Sequence, residues 1–171
     1  MKAGKLTRLA LLTALALIIF IVEMHFPNLI PLPGVKLGLA NIITVYAIYK
    51  YSPKEVALIV AARLILGALF AGNVSALMYS CAGATLCLVG MLLFKKVIPY
   101  RYIWLSSIVG AILHNTGQII VAVLIVGSFA VVSYYPILII SGCIAGAFTG
   151  ICAQLLLKRD MHEQCISKEV K

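Results

Sequence analysis

Arg63 stands far from any other charge. It sits in the run Val60-Ala61-Ala62-Arg63-Leu64-Ile65-Leu66, and its nearest charged neighbours along the chain are Glu55 and Lys95. A charged side chain in the middle of an apolar segment costs about 3 kcal/mol even on the lenient insertion scales, so it faces a partner or a cavity. Two uses follow. Glu23, the acid of the first apolar segment, can close an Arg–Glu clamp between helices. Alternatively, the guanidinium can anchor an anionic ligand, since its fork matches carboxylate and phosphate in two-point geometry. The sequence leaves both open.

A second cluster is His114-Asn115-Thr116-Gly117-Gln118, again inside an apolar segment. His114 and Gln118 are four apart, Asn115 and Gln118 three apart, so all three lie close on one helix surface. One such group serves as interhelical glue worth about 0.6 to 2 kcal/mol. Three in five residues exceed what packing requires and suggest a face turned to a ligand. Gly117 among them lets a helix or ligand approach closely. Asn41 and Asn73 stand at the ends of other apolar segments, with Lys36 just before the first of these. Polar groups converging in an apolar wall are the mark of a small-molecule pocket. The candidate binding residues are therefore Arg63, Asn41, Asn73, His114, Asn115, Gln118, Glu23 and Lys36.

Other chemistries find little support. The chain has three His and one Asp, Asp160. No cluster has the donor spacing of a metal site, so neither metal nor cofactor is expected. Cys81, Cys87, Cys143, Cys152 and Cys165 contain no CxxC pair and read as small packing residues. There is no GxxxxGK[ST] phosphate loop in these residues, so any ATP-driven step must borrow its ATPase.

The elements that must position these groups are membrane helices. Of 171 residues, 63% are apolar and 11% charged. Soluble domains carry about 25% charged residues, so this composition cannot cover a water-facing surface. Soluble enzymes, disordered chains and nucleic-acid-binding domains are excluded together. Lys2, Lys5 and Arg8 before Leu9–Val22 imitate a signal peptide, but Glu23-Met24-His25-Phe26-Pro27 follows instead of small cleavage-site residues. An uncleaved first helix is expected.

Six apolar segments emerge, at about 6–24, 37–49, 55–70, 74–94, 102–126 and 134–157, with a polar tail over 158–171. Prolines at 27, 31 and 33 break the chain between the first two. Ser52 before Pro53 reads as a helix start. Tyr134 and Tyr135 fit an aromatic belt at the membrane interface. With six spans both termini share a side. On it fall Lys2, Lys5, Arg8, Lys50, Lys54, Lys95, Lys96, Arg101, Lys158, Arg159, Lys168 and Lys171, twelve of the fourteen basic residues. The other side holds Lys36 alone. The net charge of +9 is therefore topological, and both termini are expected in the cytoplasm. The fold expected is an all-α integral membrane protein: one domain over 1–171, six transmembrane helices in a compact bundle. Small residues recur at four-residue spacing, Ala10 and Ala14 in the first segment and Gly142, Gly146 and Gly150 in the sixth. Such faces allow close helix contact.

Three stretches, Gly34-Val35-Lys36-Leu37-Gly38-Leu39-Ala40-Asn41, Ala61-Ala62-Arg63-Leu64-Ile65-Leu66-Gly67 and His114-Asn115-Thr116-Gly117-Gln118, resemble the heptaprenyl diphosphate synthase component I family, also called the Gx transporter family. The likeness covers about Leu6 to Leu157. That family in turn resembles the substrate-binding S components of energy-coupling factor (ECF) transporters. The resemblance implies six helices, a binding pocket on the outer face and an AxxxA in the first helix that docks on a coupling subunit, here Ala10 and Ala14. It implies uptake of a small molecule in a bacterial plasma membrane, powered by separate ATPase and coupling subunits. The synthase name implies another role, as membrane partner of a prenyl diphosphate synthase catalytic subunit. Prenyl elongation needs carboxylate pairs to hold Mg²⁺ against diphosphate. Asp160 is the only Asp and no acidic pair stands in the six segments, so no catalysis is expected of this chain.

Overall fold

The computed structural model describes residues 3–25, 38–72 and 74–169. Six α-helices appear among them: α1 Ala3–His25, α2 Asn41–Lys50, α3 Pro53–Ala71, α4 Val74–Phe94, α5 Ile103–Val126 and α6 Tyr135–Glu169. Short 3-10 helices over Tyr100–Tyr102 and Phe129–Tyr134 lead into α5 and α6. The described chain is all-helical. α1, α4, α5 and α6 are long and apolar enough to cross a membrane. α2 has ten residues, about 15 Å of helix, and α3 carries Lys54, Glu55 and Arg63. Large apolar side chains point outward, Leu124 at 76% and Phe129 at 83% exposure. In water such a surface would aggregate; in hydrocarbon it is the ordinary one. The protein is a multi-pass membrane protein.

Local chemistry sets the helix ends. Pro53 opens α3, and the Glu55 carboxylate accepts the Ser52 backbone N–H at 3.1 Å. α3 and α5 stop on Gly72 and Gly127, with φ of +62° and +67°, a left-handed conformation that glycine adopts without strain. Two boundaries differ from the apolar segments. α2 begins at Asn41, not Leu37, because Gly38 also takes a left-handed φ of +67° and starts a turn. α6 continues to Glu169, so Lys158–Glu169, expected as a polar tail, extends the last helix.

α5 is the central element and packs against both α4 and α6. Glycines permit both contacts. A Cβ built on Gly117 would stand 2.7 Å from the Ala82 carbonyl oxygen, and one on Gly83 2.8 Å from that of His114. On α6, Cβ atoms at Gly142, Gly146 and Gly150 would meet Asn115, Ile108 and Trp104 at 2.6 to 2.8 Å. The repeating glycines are thus an internal seam. α1 leans on α3, where the Phe20 ring covers Gly67.

The bundle has two unlike ends. At one end Leu9, Ile48, Val56, Ile59, Met91, Ile103 and Leu157 form a closed core. The basic residues gather beyond it. Lys5 pairs with Glu55 at 2.5 Å. Lys50 pairs with Asp160, tying α2 to α6, and the Lys95 ammonium donates to the Ile48 carbonyl at 2.6 Å. The opposite end holds a cavity.

Candidate functional site

The cavity has a volume of about 570 Å³, within the range of small-molecule sites. Every helix except the basic-end portions contributes to it: the end of α1, the start of α2, the second halves of α3 and α5, and the first halves of α4 and α6. Six of the residues singled out in the sequence line it: Glu23, Asn41, Arg63, His114, Asn115 and Gln118. Lys36 and Asn73 lie outside the described residues, as does the proline-rich segment.

Arg63 is the most consequential of the six. It is 8% exposed, and its Nη1 donates to Asn41 Oδ1 at 3.2 Å. No carboxylate among the described residues forms an ion pair with it. Glu23 is near enough to act on it electrostatically, yet its carboxylate accepts the Gly38 backbone N–H instead. The direct Arg–Glu clamp is therefore not the arrangement present. In its place runs a chain of contacts: Glu23 holds Gly38, and the turn from Gly38 sets the start of α2, where the Gly38 carbonyl accepts the Asn41 N–H at 2.8 Å. Asn41 then holds Arg63. The left-handed Gly38 is what lets this turn place an N–H toward α1 and an amide toward α3.

The three α5 groups divide their work. Asn115 Nδ2 donates to the Leu138 carbonyl at 2.7 Å, fixing α5 to α6, so this residue does serve as interhelical glue while also lining the cavity. The His114 ring lies against Gly83 of α4. Gln118, one turn further along, completes the row on the cavity wall. Thr116 faces another way: its hydroxyl meets the Tyr135 hydroxyl at 2.6 Å.

Sequence reasoning missed part of the wall. Phe20, Tyr79, Ser80, Ser141 and Thr149 all line it. Tyr134, assigned to an aromatic belt, lines it as well, and its neighbour Tyr135 is bonded to Thr116. Beyond these polar groups the wall is apolar, with Ala122, Val126, Val131 and Leu138 at the α5–α6 side.

Ala10 and Ala14 lie far from this site, on the exposed face of α1 towards the basic end. Among the described residues no group of His, Cys, Asp and Glu is arranged to hold a metal ion.

The family model described as heptaprenyl diphosphate synthase component I matches residues 12–156, which includes all six cavity residues named above. The chain belongs to that family. No curated protein matches the chain, and no solved structure does.

Proposed function

We propose that this chain is a membrane-embedded binding subunit for a small molecule, of the S-component type, working with separate ATPase and coupling subunits in a bacterial plasma membrane. The observation that carries this reading is the cavity: about 570 Å³, walled by a buried arginine and a row of amide and imidazole groups, in a protein otherwise built of apolar helices. A guanidinium buried with a single hydrogen bond costs a few kcal/mol without water or ligand, and a ligand offsets that cost. Catalysis is not part of the reading: among the described residues Glu23 is the one carboxylate that lines the cavity.

In this reading α2 and α3 count as spans with the four longer helices. Six spans bring both termini to the cytoplasmic side and open the cavity outward. A cysteine placed in the Lys95–Arg101 linker, in a cysteine-free background, should then react only with reagents that enter the cell. Labelling from outside would overturn the topology.

Ala10 and Ala14 supply the docking test. Their exposure and four-residue spacing suit close approach by a partner helix. Replacing both with leucine should cut copurification of the coupling subunit by about tenfold or more, a loss of about 1.4 kcal/mol or more. Thermal stability of the isolated chain should stay within about 0.5 kcal/mol, as for other surface changes. Undiminished copurification would remove this face from the interface.

The family description favours a second reading, a non-catalytic partner of a prenyl diphosphate synthase. Under it a catalytic synthase subunit, not ATPases, copurifies.

A further inference from the structure

The geometry points to a ligand with one oxyanion head, carboxylate or phosphate, on a compact apolar body, the head held by Arg63 and the body lying toward the α5–α6 side of the cavity. This rests on the reading of the cavity as a binding site and names what it binds.

The head follows from the state of Arg63. Its guanidinium carries five N–H donors in a rigid fork, and the structure gives it one acceptor, the neutral amide oxygen of Asn41 at 3.2 Å. A permanent positive charge, 8% exposed and without an ion pair among the described residues, feels Glu23 only at a distance and has most of its hydrogen-bonding demand unmet. Proteins neutralise such charges. Glu23 offsets the charge only from a distance: its carboxylate is turned to the Gly38 N–H and gives the fork no direct acceptor. Asn41 leaves the rest of the fork open to the cavity, and a two-oxygen anion is the shape that fork accepts.

The body follows from the α5–α6 wall. Ala122, Val126, Val131 and Leu138 line the cavity there, and the hydroxyls of Ser141 and Thr149 beside them already donate to carbonyls of α6, so a polar body would lose its water with little replacement. Gln118, His114 and Tyr134 also line the cavity and can bond a further polar group. A cavity of about 570 Å³ is of the size that takes a small molecule, which makes the body compact.

The test uses four probes with one ten-carbon branched body and different heads: geranyl phosphate, geranic acid, geraniol and geranylamine. Each is titrated against the full chain in lipid nanodiscs, reading the thermal midpoint and a dissociation constant. The two anions should bind about tenfold or more tighter than the alcohol or the amine, as expected when one charge-assisted contact is gained. Comparing phosphate with carboxylate identifies which source of the oxyanion is preferred. Arg63→Met should erase the difference between anions and alcohol. Arg63→Lys, which keeps the charge without the fork, should keep part of it. Geraniol or geranylamine binding as tightly as the anions overturns the ligand class and leaves the binding subunit standing. If no probe binds, the small molecules released by denaturing the purified protein decide by mass spectrometry: an anionic one supports the class, a neutral or cationic one overturns it, and none at all overturns the binding reading with it.

Discussion

Gly117→Ala should lower the stability of the folded bundle by about 2 kcal/mol, although alanine is the better helix former by about 1 kcal/mol. The reason is what the new methyl group would meet. It would stand 2.7 Å from the Ala82 carbonyl oxygen and 2.8 Å from the Ala82 carbonyl carbon and the Gly83 Cα. All three are backbone atoms of α4, and a helix backbone cannot rotate out of the way. α4 and α5 must separate, and His114, whose ring rests on Gly83, moves with them. Gly90→Ala makes the sharper comparison. Its methyl would come within 2.0 Å of Leu113 Cδ1, a shorter distance, but this atom ends a flexible side chain that can take another rotamer. Gly90→Ala should therefore be near neutral, within about 1 kcal/mol. Thermal and detergent unfolding of both variants check the order. Equal losses would mean that the α4–α5 seam is loose enough to repack.

Why these glycines and polar residues were readable, while much of the wall was not, follows from the solvent. In water a helix shows its facing by the alternation of apolar and polar residues. In hydrocarbon both the lipid face and the packed face are apolar, so Leu64, which lines the cavity, and Ile65, which is exposed, look alike in the sequence. Facing is reported only by residues that are costly in lipid, such as Arg63, Asn115 and Gln118, or by small ones that allow close contact, such as Gly146. This is why six polar positions could be named beforehand, whereas Phe20 and Leu138 could not. The Arg63–Asn41 bond was invisible for another reason. The two residues are 22 apart, and the pairing depends on the left-handed Gly38 that delays α2 until Asn41. From charge alone, Glu23 was the natural partner. The helical course of Lys158–Glu169 was missed because its polar composition speaks to the surroundings of the segment, not to its backbone.

Asn41→Ala should destabilise the unliganded protein by about 2 kcal/mol, the worth of a hydrogen bond to a charged group. Arg63→Met should cost less, or even stabilise. The order is the reverse of what the sizes of the lost side chains suggest. Removing Asn41 leaves the guanidinium in place, buried, without the one acceptor that the structure gives it. Removing the guanidinium removes the desolvated charge itself, and replacing buried ionic groups by apolar ones of similar volume is often neutral or favourable. The two changes share one bond, so they should not add. In the double variant the loss should be smaller than in Asn41→Ala alone, because no orphaned charge remains. A thermal-unfolding cycle over the four proteins, in lipid and without ligand, measures this coupling. If Arg63→Met costs as much as Asn41→Ala, the arginine is a structural clamp that holds the helices together. If it unfolds less readily than the parent, the bundle maintains a charge that its own stability does not require, as expected of a group kept for a ligand.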